Sequence, residues 1–341
     1  MSFLPVPSHF DPNKVNEVWR VPYQARAAEA RLWAQRHAIQ PATDDRFKIG
    51  LLLVDVQNTF CLPDFELFVG GRTGTGAMDD SRRICDFIYR NLHRISEIIV
   101  TMDTHQAIQI FHANFLINGK NEHPDPYTTV SVEDIEKDHW KFNPLLLDSF
   151  EMDAPTAKRQ LLHYTRSLKS RGKYLWTIWP YHAMLGGIGH ALVSSIEEAI
   201  FFHTIARYSQ PHIITKGDNP LTEHYSVIGP EVTRDASGHQ IASRNHELID
   251  KLMNLDALFI AGQAKSHCVA WTVEDLQADI QARGLSQGDT TLAEKVYLLE
   301  DCTSSVVIPG VVDYTEQADS AYQDFARMGM KIVHSDEWNL D

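Results

Sequence analysis

The sequence predicts a doubly wound α/β fold, in which a mostly parallel six-stranded sheet carries helices on both faces. Six short apolar runs alternate with helical patterns along the chain, and this alternation is typical of a parallel sheet. The runs are almost continuously apolar, as expected for strands that are covered on both faces. At 341 residues and 43% hydrophobic composition, the chain is long enough to bury such a sheet.

Each predicted strand is a short run of apolar, mostly β-branched or leucine residues bounded by polar or turn-forming residues. In chain order the predicted strands are Ile49–Val56, Glu97–Met102, His212–Thr215, Ala257–Ala261, Lys295–Glu300 and Lys331–His334.

Apolar residues at helical spacing predict the helices that connect these strands. The stripes lie within residues 84–95, 193–201, 248–255, 269–280 and 318–328, and a further helix is possible at Arg26–His37.

Two stretches fall outside the alternation of strands and helices. Residues 1–47 precede the first strand, and residues 113–178 separate the second and third strands by more than one crossover helix needs. The second stretch is rich in charged and aromatic residues, and a structureless loop of this length would be unusual. We therefore expect a single domain over 1–341 with an N-terminal extension and a folded insertion.

Composition and the absence of certain patterns indicate which binding partners and which cell compartment to expect. The formal net charge is −14, from 45 acidic and 31 basic residues, without a basic block, which argues against nucleic acid and anionic membranes. No run approaches the ~18 apolar residues of a membrane span, and the N-terminus lacks a secretory signal pattern. The four cysteines show no disulfide or metal-binding spacing. These features favour a reduced, soluble, cytoplasmic protein with a small-molecule ligand, and they leave a homo-oligomer open.

Polar residues stand where four of the predicted strands end. They are Asp55, Asp103 and Lys216, and Cys268 follows the fourth strand after a short turn. Because ligands of open parallel sheets bind beyond the carboxyl ends of the strands, we expect these side chains to meet there.

The pattern after Gly262 predicts that Cys268 lies on the first turn of a helix, where the macrodipole favours a thiolate nucleophile. The alternative is a buried apolar cysteine in a helix–sheet seam. If Cys268 reacts, Asp55 could take the thiol proton and Lys216 could stabilise the thiolate. The backbone N–H groups of Ala264 and Cys268 could then face an oxyanion.

A second group of residues suits a divalent metal ion. Asp103, His105 and His112 occur within MDTHQAIQIFH, and His182 follows the insertion in IWPYHAM. Carboxylate and imidazole ligands fit one ion of zinc, iron or manganese, although Asp-x-His alone is a weak signal.

Five motifs together resemble the cysteine hydrolases of the isochorismatase-like superfamily, and nicotinamidases in particular. In chain order they read DVQNTF, DTH, WPYH, KGDNPLTEHYS and GQAKSHC. The resemblance implies a catalytic triad of Asp55, Lys216 and Cys268, and a cis peptide between Gln263 and Ala264. The residues before Cys268 depart from the family, because Lys265, Ser266 and His267 replace its usual Thr-Asp-aromatic sequence.

The resemblance also implies a metal site and a substrate pocket. Zinc, held by Asp103, His105 and His182 with His112 as a fourth histidine, is the most expected ion. The pocket would be lined by Gln57, Phe60, Trp179 and Tyr225.

The resemblance implies a metal-containing amidohydrolase that converts nicotinamide to nicotinate and ammonia through a Cys268 thioester. Two alternatives remain: a thiol amidohydrolase that acts on a carbamoyl or ureido amide, and a non-enzymatic ligand sensor. The metal ligands argue against the carbamoyl or ureido amidohydrolase, because such members of the superfamily generally lack them. The intact triad argues against the ligand sensor.

Overall fold

Six parallel strands form the central sheet of the computed structural model, which describes residues 3–171, 174–287 and 291–338. The spatial order is β6-β5-β4-β1-β2-β3, and every neighbouring pair is parallel. The predicted doubly wound α/β class is therefore confirmed. In chain order the strands β1 to β6 are Ile49–Val54, Ile95–Asp103, His212–Lys216, Ala257–Gly262, Val296–Leu299 and Lys331–Val333.

Strand order reverses at β1, because the chain moves outward through β2 and β3 and then returns to place β4 on the other side of β1. A reversal of this kind opens a crevice at the carboxyl ends of the two central strands. The predicted first strand extended to Val56, but β1 ends at Val54 because Asp55 takes a left-handed conformation with φ of 49°. That bend carries the chain out of the ladder at the crevice.

Nine α-helices and one π-helical turn at Lys265–Val269 lie in the described part of the chain. In chain order α1 to α9 are Tyr23–Arg36, Asn58–Cys61, Gly76–Arg90, Val132–Glu136, Ala154–Arg171, Ser194–Arg207, His246–Met253, Ala270–Gln287 and Thr315–Arg327. Short 3-10 helices occupy Pro12–Lys14, Ala42–Asp44, Ala113–Phe115, Pro144–Leu146, Asp148–Phe150, Leu292–Lys295 and Glu300–Cys302. None of the described helices combines the length and the hydropathy that a membrane crossing requires.

Helices cover both faces of the sheet. Leu51 and Leu53 of β1 pack into a core with α1, α3 and α6, whereas Leu52 and Val54 pack into a second core with α7, α8 and α9. Alternate residues of a strand point to opposite faces, so one apolar run supplies both cores. This is the reason that the first strand is apolar throughout.

The N-terminal extension packs against the outer helix α6. Arg26 of α1 forms a buried ion pair with Glu198 of α6 at 2.9 Å, and the backbone N–H of Trp19 donates to the Ser194 hydroxyl at 3.0 Å. The helix predicted near Arg26–His37 is thus present, slightly shifted toward the N-terminus.

The 113–178 segment contains regular structure and packs around a third hydrophobic cluster that includes Trp176 and Trp179. Besides α4 and α5 it has two antiparallel pairs, Leu116–Ile117 with Lys141–Phe142 and Thr129–Val130 with Trp176–Thr177. A third short pair, Val307–Ile308 with Val312–Asp313, lies near the C-terminus. The assignment of the whole chain to a single domain stays a prediction.

Buried histidines predict a loss of stability in mild acid. His203 of α6 is 1% exposed and its Nε2 donates to the carbonyl of Ile95 at 2.9 Å. Burial lowers its pKa from 6.5 to about 4. Below pH 6.5 the unfolded chain therefore binds a proton that the folded protein does not yet accept. The unfolding free energy consequently decreases as the pH is lowered from 6.5 toward 4.

We expect His203→Gln to flatten the fall in unfolding free energy between pH 6.5 and pH 4 by up to about 3 kcal/mol. Urea denaturation at a series of pH values, followed by circular dichroism, measures this slope. Exposed His246 provides the control, and His246→Gln should leave the slope unchanged. An equal slope in the wild type and His203→Gln would contradict the prediction.

Candidate active site

The four predicted residues meet at the carboxyl edge of the sheet. Asp55 directly follows β1, Asp103 and Lys216 are the last residues of β2 and β3, and Cys268 lies in the π-helical turn after β4. Asp103 and Lys216 are direct partners in the β2–β3 register. Parallel pairing therefore places an acid beside a base at the strand ends.

Lys216 is the centre of this group, which we call the Lys216 cluster (Asp55, Asp103, Lys216 and Cys268). Its Nζ lies 2.9 Å from Asp55 Oδ2 and 3.0 Å from Asp103 Oδ1, and it donates to Cys268 Sγ at 3.6 Å. Lys216 is only 2% exposed and Asp55 is fully buried. One cation thus joins two carboxylates and a thiol away from solvent.

Burial and the two acids set the protonation of the cluster. Burial alone would lower the pKa of Lys216, but Asp103 and Asp55 raise it well above its usual value, so the ammonium stays charged. Burial raises the pKa of Asp55 despite the opposing effect of Lys216. The Asp55 carboxyl can therefore carry a proton at a higher pH than an exposed aspartate can.

The predicted thiolate preference of Cys268 is wrong for this resting arrangement. Burial raises the pKa of the Cys268 thiol well above its usual value, and the nearby Asp55 raises it further, although Lys216 opposes both effects. Cys268 also lies in the π-helical turn that precedes α8, and not on the first α-helical turn. The raised pKa favours the thiol over the thiolate, so a nucleophile forms when a neighbouring group takes the proton.

Three of the predicted metal ligands converge beside the Lys216 cluster. Asp103, His105 and His182 offer ligand atoms that all lie within 4.8 Å of one another. His105 Nε2 is 2.9 Å and His182 Nε2 is 3.5 Å from Asp103 Oδ2. Asp103 therefore belongs to both groups, with Oδ1 toward Lys216 and Oδ2 toward the histidines.

The hydrogen bonds of the two histidines fit a bound cation. His105 Nδ1 faces the carbonyl of Gly217 at 2.9 Å, and His182 Nδ1 faces the carbonyl of Pro180 at 2.8 Å. A carbonyl only accepts, so each Nδ1 carries a hydrogen and each Nε2 is directed at Asp103 Oδ2. Although burial opposes it, Asp103 raises the pKa of His105 above its usual value. An Nδ1–H that faces a carbonyl while Nε2 faces a carboxylate is also the ring orientation of metal-ligating histidines.

His112 lies beside these three residues without joining them. Its ring centre is 5.8 Å from that of His105 and 6.2 Å from that of His182. Its nitrogens are not among the converging ligand atoms, so its role as a fourth ligand stays a prediction. Burial, together with His182 and His105, lowers the pKa of His112 to about 3.

A cavity opens on both groups. Predicted pocket residues Phe60, Trp179 and Tyr225 line it, and Trp179 Nε1 donates to the Tyr225 hydroxyl at 2.9 Å. The complete lining consists of Phe60, Leu67, Val69, Asp103, Trp179, His182, Glu223, Tyr225, Ala264, His267, Cys268 and Val306. A mostly apolar and aromatic wall with a few polar groups suits a flat aromatic ligand.

Gln57 does not line this cavity, contrary to the prediction. Its side-chain nitrogen donates to the carbonyls of Asp103 and His190 at 2.8 and 2.9 Å, and its oxygen accepts from the N–H of Asp103 at 2.7 Å. Its side-chain nitrogen and oxygen are therefore engaged in holding the backbone of Asp103 and His190. Gln57 positions a residue of the site and is not available to a ligand.

The chain around Ala264 has the predicted cis peptide, between Gln263 and Ala264. Gly262 precedes it with φ of 116°, and a Cβ there would lie 2.1 Å from the carbonyl oxygen of Val54. Only glycine allows β4 to approach β1 this closely at the crevice. Ala264 and Cys268 both line the cavity, and their role as oxyanion donors stays a prediction.

Two polar residues of the cavity were missed by the sequence analysis. Glu223 follows Lys216 by seven residues in the same loop, and burial raises its pKa to about 7. His267 immediately precedes Cys268 and is 4% exposed. The departure from the family at His267 was visible in the sequence, whereas nothing in the sequence indicated that the 217–225 loop folds Glu223 inward.

Comparison with solved structures finds the same fold in nicotinamidases. The yeast nicotinamidase bound to the inhibitor nicotinaldehyde has a TM-score of 0.50 at 19% identity, over 84% of this chain and 99% of that chain. The Acinetobacter baumanii nicotinamidase/pyrazinamidase gives 0.48 at 19% identity, over 86% of this chain and 98% of that chain. The Pyrococcus horikoshii pyrazinamidase in complex with zinc gives 0.41 at 18% identity, over 84% and 99%.

No protein-family model and no curated protein matches the sequence. At 19% identity, the match to the yeast enzyme shows a shared fold. The predicted resemblance to nicotinamidases is therefore confirmed for the fold.

The Lys216 cluster predicts a large stability loss on removal of its cation. Lys216→Met leaves two buried carboxylates without their partner, and we expect a loss of about 3–5 kcal/mol in unfolding free energy by urea denaturation. Adding Asp55→Asn should restore part of it, because one uncompensated charge is removed.

The matched control is the exposed ion pair of Lys137 with Glu133 on α4. Lys137→Met should cost less than about 1 kcal/mol. If Lys216→Met is as mild as this control, the two carboxylates are not held as ions by Lys216.

Proposed function

We propose that the protein is a metal-containing cysteine amidohydrolase of the isochorismatase-like superfamily that hydrolyses nicotinamide or a related heteroaromatic carboxamide. The observation that carries the proposal is the shared position of Asp103. One of its oxygens contacts Lys216 at 3.0 Å and the other contacts His105 at 2.9 Å. The pair Asp55 and Cys268 and the metal-binding group Asp103, His105 and His182 therefore lie beside one aromatic cavity.

The first half of the reaction forms a thioester. Asp55 accepts the proton of the Cys268 thiol, and Sγ attacks the carboxamide carbon. The backbone N–H groups of Ala264 and Cys268 stabilise the oxyanion. The C–N bond then breaks and the nitrogen leaves as ammonia after it takes the proton from Asp55.

The second half returns the enzyme to its starting state. Asp55 removes a proton from water, the resulting hydroxide attacks the thioester carbon, and the C–S bond breaks. The product is the carboxylic acid, and the proton returns from Asp55 to the Cys268 sulfur. The raised pKa of Asp55 supports this role, because a carboxyl that takes up a proton more readily than an exposed aspartate is a better proton acceptor.

Asp103, His105 and His182 would hold the metal ion, with zinc as the most expected species and iron or manganese as alternatives. A bound ion would accept the lone pair of a ring nitrogen and so fix the orientation of the substrate. Phe60 and Trp179 line the cavity with aromatic rings that can contact the substrate ring. The proposed substrate is accordingly a ring carboxamide with a ligating nitrogen.

Ammonia release tests the proposed reaction. Metal-loaded protein should hydrolyse nicotinamide much faster than benzamide, which has the same ring size but no ring nitrogen. Cys268→Ala should lower kcat by about three orders of magnitude or more, because the nucleophile is lost. Cys85→Ala, on α3 and outside the cavity, serves as the matched control.

Three results would contradict this function. The first is turnover of nicotinamide by Cys268→Ala. The second is hydrolysis of an aliphatic or ureido amide by the wild type in place of nicotinamide, which would favour the carbamoyl amidohydrolase. Absence of hydrolysis with every amide would favour a ligand sensor.

Metal analysis tests the ligand assignment separately. We expect inductively coupled plasma mass spectrometry to find one divalent ion per chain. His105→Ala should lose that ion, because one of three converging ligands is removed. A second acid–histidine group, Asp301, His334 and Asp336, is largely exposed and provides the control. His334→Ala should leave the metal content unchanged. If His334→Ala loses the ion and His105→Ala keeps it, the metal site is the group of Asp301, His334 and Asp336.

A further inference from the structure

Lys265 is the first residue of the π-helical turn that carries Cys268. It is 7% exposed and does not line the cavity, although its neighbours Ala264, His267 and Cys268 do. It is also the first of the three residues at which the sequence departs from the family pattern before the nucleophile. A buried cation therefore lies three residues from Cys268 and outside the space that a substrate can enter.

The ammonium of Lys265 is held by two acids and an aromatic ring. Its Nζ lies 2.7 Å from Asp319 Oδ1, 3.4 Å from Glu300 Oε1 and 4.5 Å from the ring centre of Tyr322. Asp319 and Tyr322 belong to α9, and Glu300 begins the 3-10 helix that follows β5. None of the three lines the cavity. The side chain of Lys265 thus joins the turn to α9 on the side away from the cavity.

Burial of this group is one-sided. The side chain of Lys265 is 9% exposed, whereas those of Glu300 and Asp319 are 42% and 50% exposed. The acids keep part of their hydration, but the ammonium loses most of its own and depends on partners in fixed positions. The contact therefore specifies where the turn lies against α9, which a fully exposed ion pair would not do.

The turn itself relies on contacts with other parts of the chain. π-Helical turns are rare and usually occur singly at functional sites. The backbone N–H of Lys265 donates to the carbonyl of Ser304 at 2.8 Å, and the Ser266 hydroxyl accepts from the N–H of Val306 at 3.0 Å. These bonds hold the turn against the 304–306 segment, and the Lys265 side chain adds α9 to its supports.

We propose that Lys265 is a positioning residue that fixes the turn against α9 and so keeps Cys268 Sγ beside Lys216. The inference rests on the proposed function, in which Cys268 is the nucleophile. Sγ lies 3.6 Å from Lys216 Nζ, and a small rotation of the turn would lengthen this contact. A displacement of about 1 Å caused by a change outside the reacting groups can lower a rate about a hundredfold.

We expect Lys265→Met to lower kcat for nicotinamide roughly ten- to a hundredfold in the metal-loaded protein. KM should stay within about twofold, because Phe60, Trp179 and the metal-binding group lie outside the turn. Alkylation of Cys268 by iodoacetamide, followed by mass spectrometry of its peptide at one pH without substrate, should slow at least threefold. A thiol moved away from the Lys216 ammonium ionises less readily. Lys265→Arg keeps the cation and should recover part of both losses.

Asp319→Asn tests the same contact from the half-exposed side, where the substitution is least disruptive. It should lower kcat and the alkylation rate in the same direction, and Lys265→Met with Asp319→Asn should be no worse than Lys265→Met alone.

The matched control is Lys331→Met. Lys331 on β6 lies 4.6 Å from the ring centre of Tyr297 on β5 and donates to its hydroxyl at 2.8 Å. This lysine makes a similar contact with a tyrosine without touching the turn. We expect its substitution to leave kcat and the alkylation rate unchanged.

Alkylation separates this inference from the proposed function, because it needs no substrate. If the wild type hydrolyses no amide, the proposed function fails, while the alkylation rates still decide the role of Lys265. If Lys265→Met unfolds more easily but keeps the kcat and alkylation rate of the wild type, the ion pair is only structural and the inference is overturned. A rise in KM alone, or full additivity of the two substitutions, also overturns it.

If Lys265→Met does not fold, the same two measurements on Asp319→Asn decide. Losses of kcat and alkylation rate that Lys265→Arg partly recovers, and that Lys331→Met does not show, support the assignment.

Discussion

The buried ammonium of Lys216 is the interaction on which the site depends. It contacts Asp55, Asp103 and Cys268 at 2.9, 3.0 and 3.6 Å and is almost inaccessible to solvent. Two carboxylates this close could not both stay ionised in a buried position without a cation between them. Asp103 also faces His105 and His182. The charge of Asp103 therefore acts both on Lys216, beside Cys268, and on the two histidines. A change in either group therefore alters the other.

The parallel sheet brings these charges together. Strands β1, β2 and β3 end side by side, and the β2–β3 register pairs Asp103 with Lys216. The left-handed turn at Asp55 and the close approach of Gly262 to Val54 shape the crevice between β1 and β4. Gln57 then uses its side-chain nitrogen and oxygen to fix the backbone of Asp103 and His190. The strands place the residues, and buried hydrogen bonds hold their orientation.

The 113–178 segment contacts cavity-lining residues through the stretch that follows α5. Trp179 belongs to the hydrophobic cluster of that segment and also lines the cavity. Tyr174 contacts the ring of His267 and donates to Ser266, although 92 residues separate it from Ser266. The segment that interrupts the sheet thus supports the wall beside Cys268 from outside the cavity, through the contacts of Tyr174.

The sequence by itself determined the strands, their parallel class and the residues at their ends, because apolar periodicity and strand-end polarity are local patterns. The positions of Asp55, Asp103, Lys216 and Cys268 followed from that reasoning, and the family motifs added His105 and His182. Tertiary structure alone decided that Gln57 faces the backbone, that burial raises the pKa of the Cys268 thiol and that Glu223 and His267 enter the cavity. These outcomes depend on burial and on contacts between residues far apart in the chain. A side chain's protonation and direction are set by such neighbours, which no local pattern specifies.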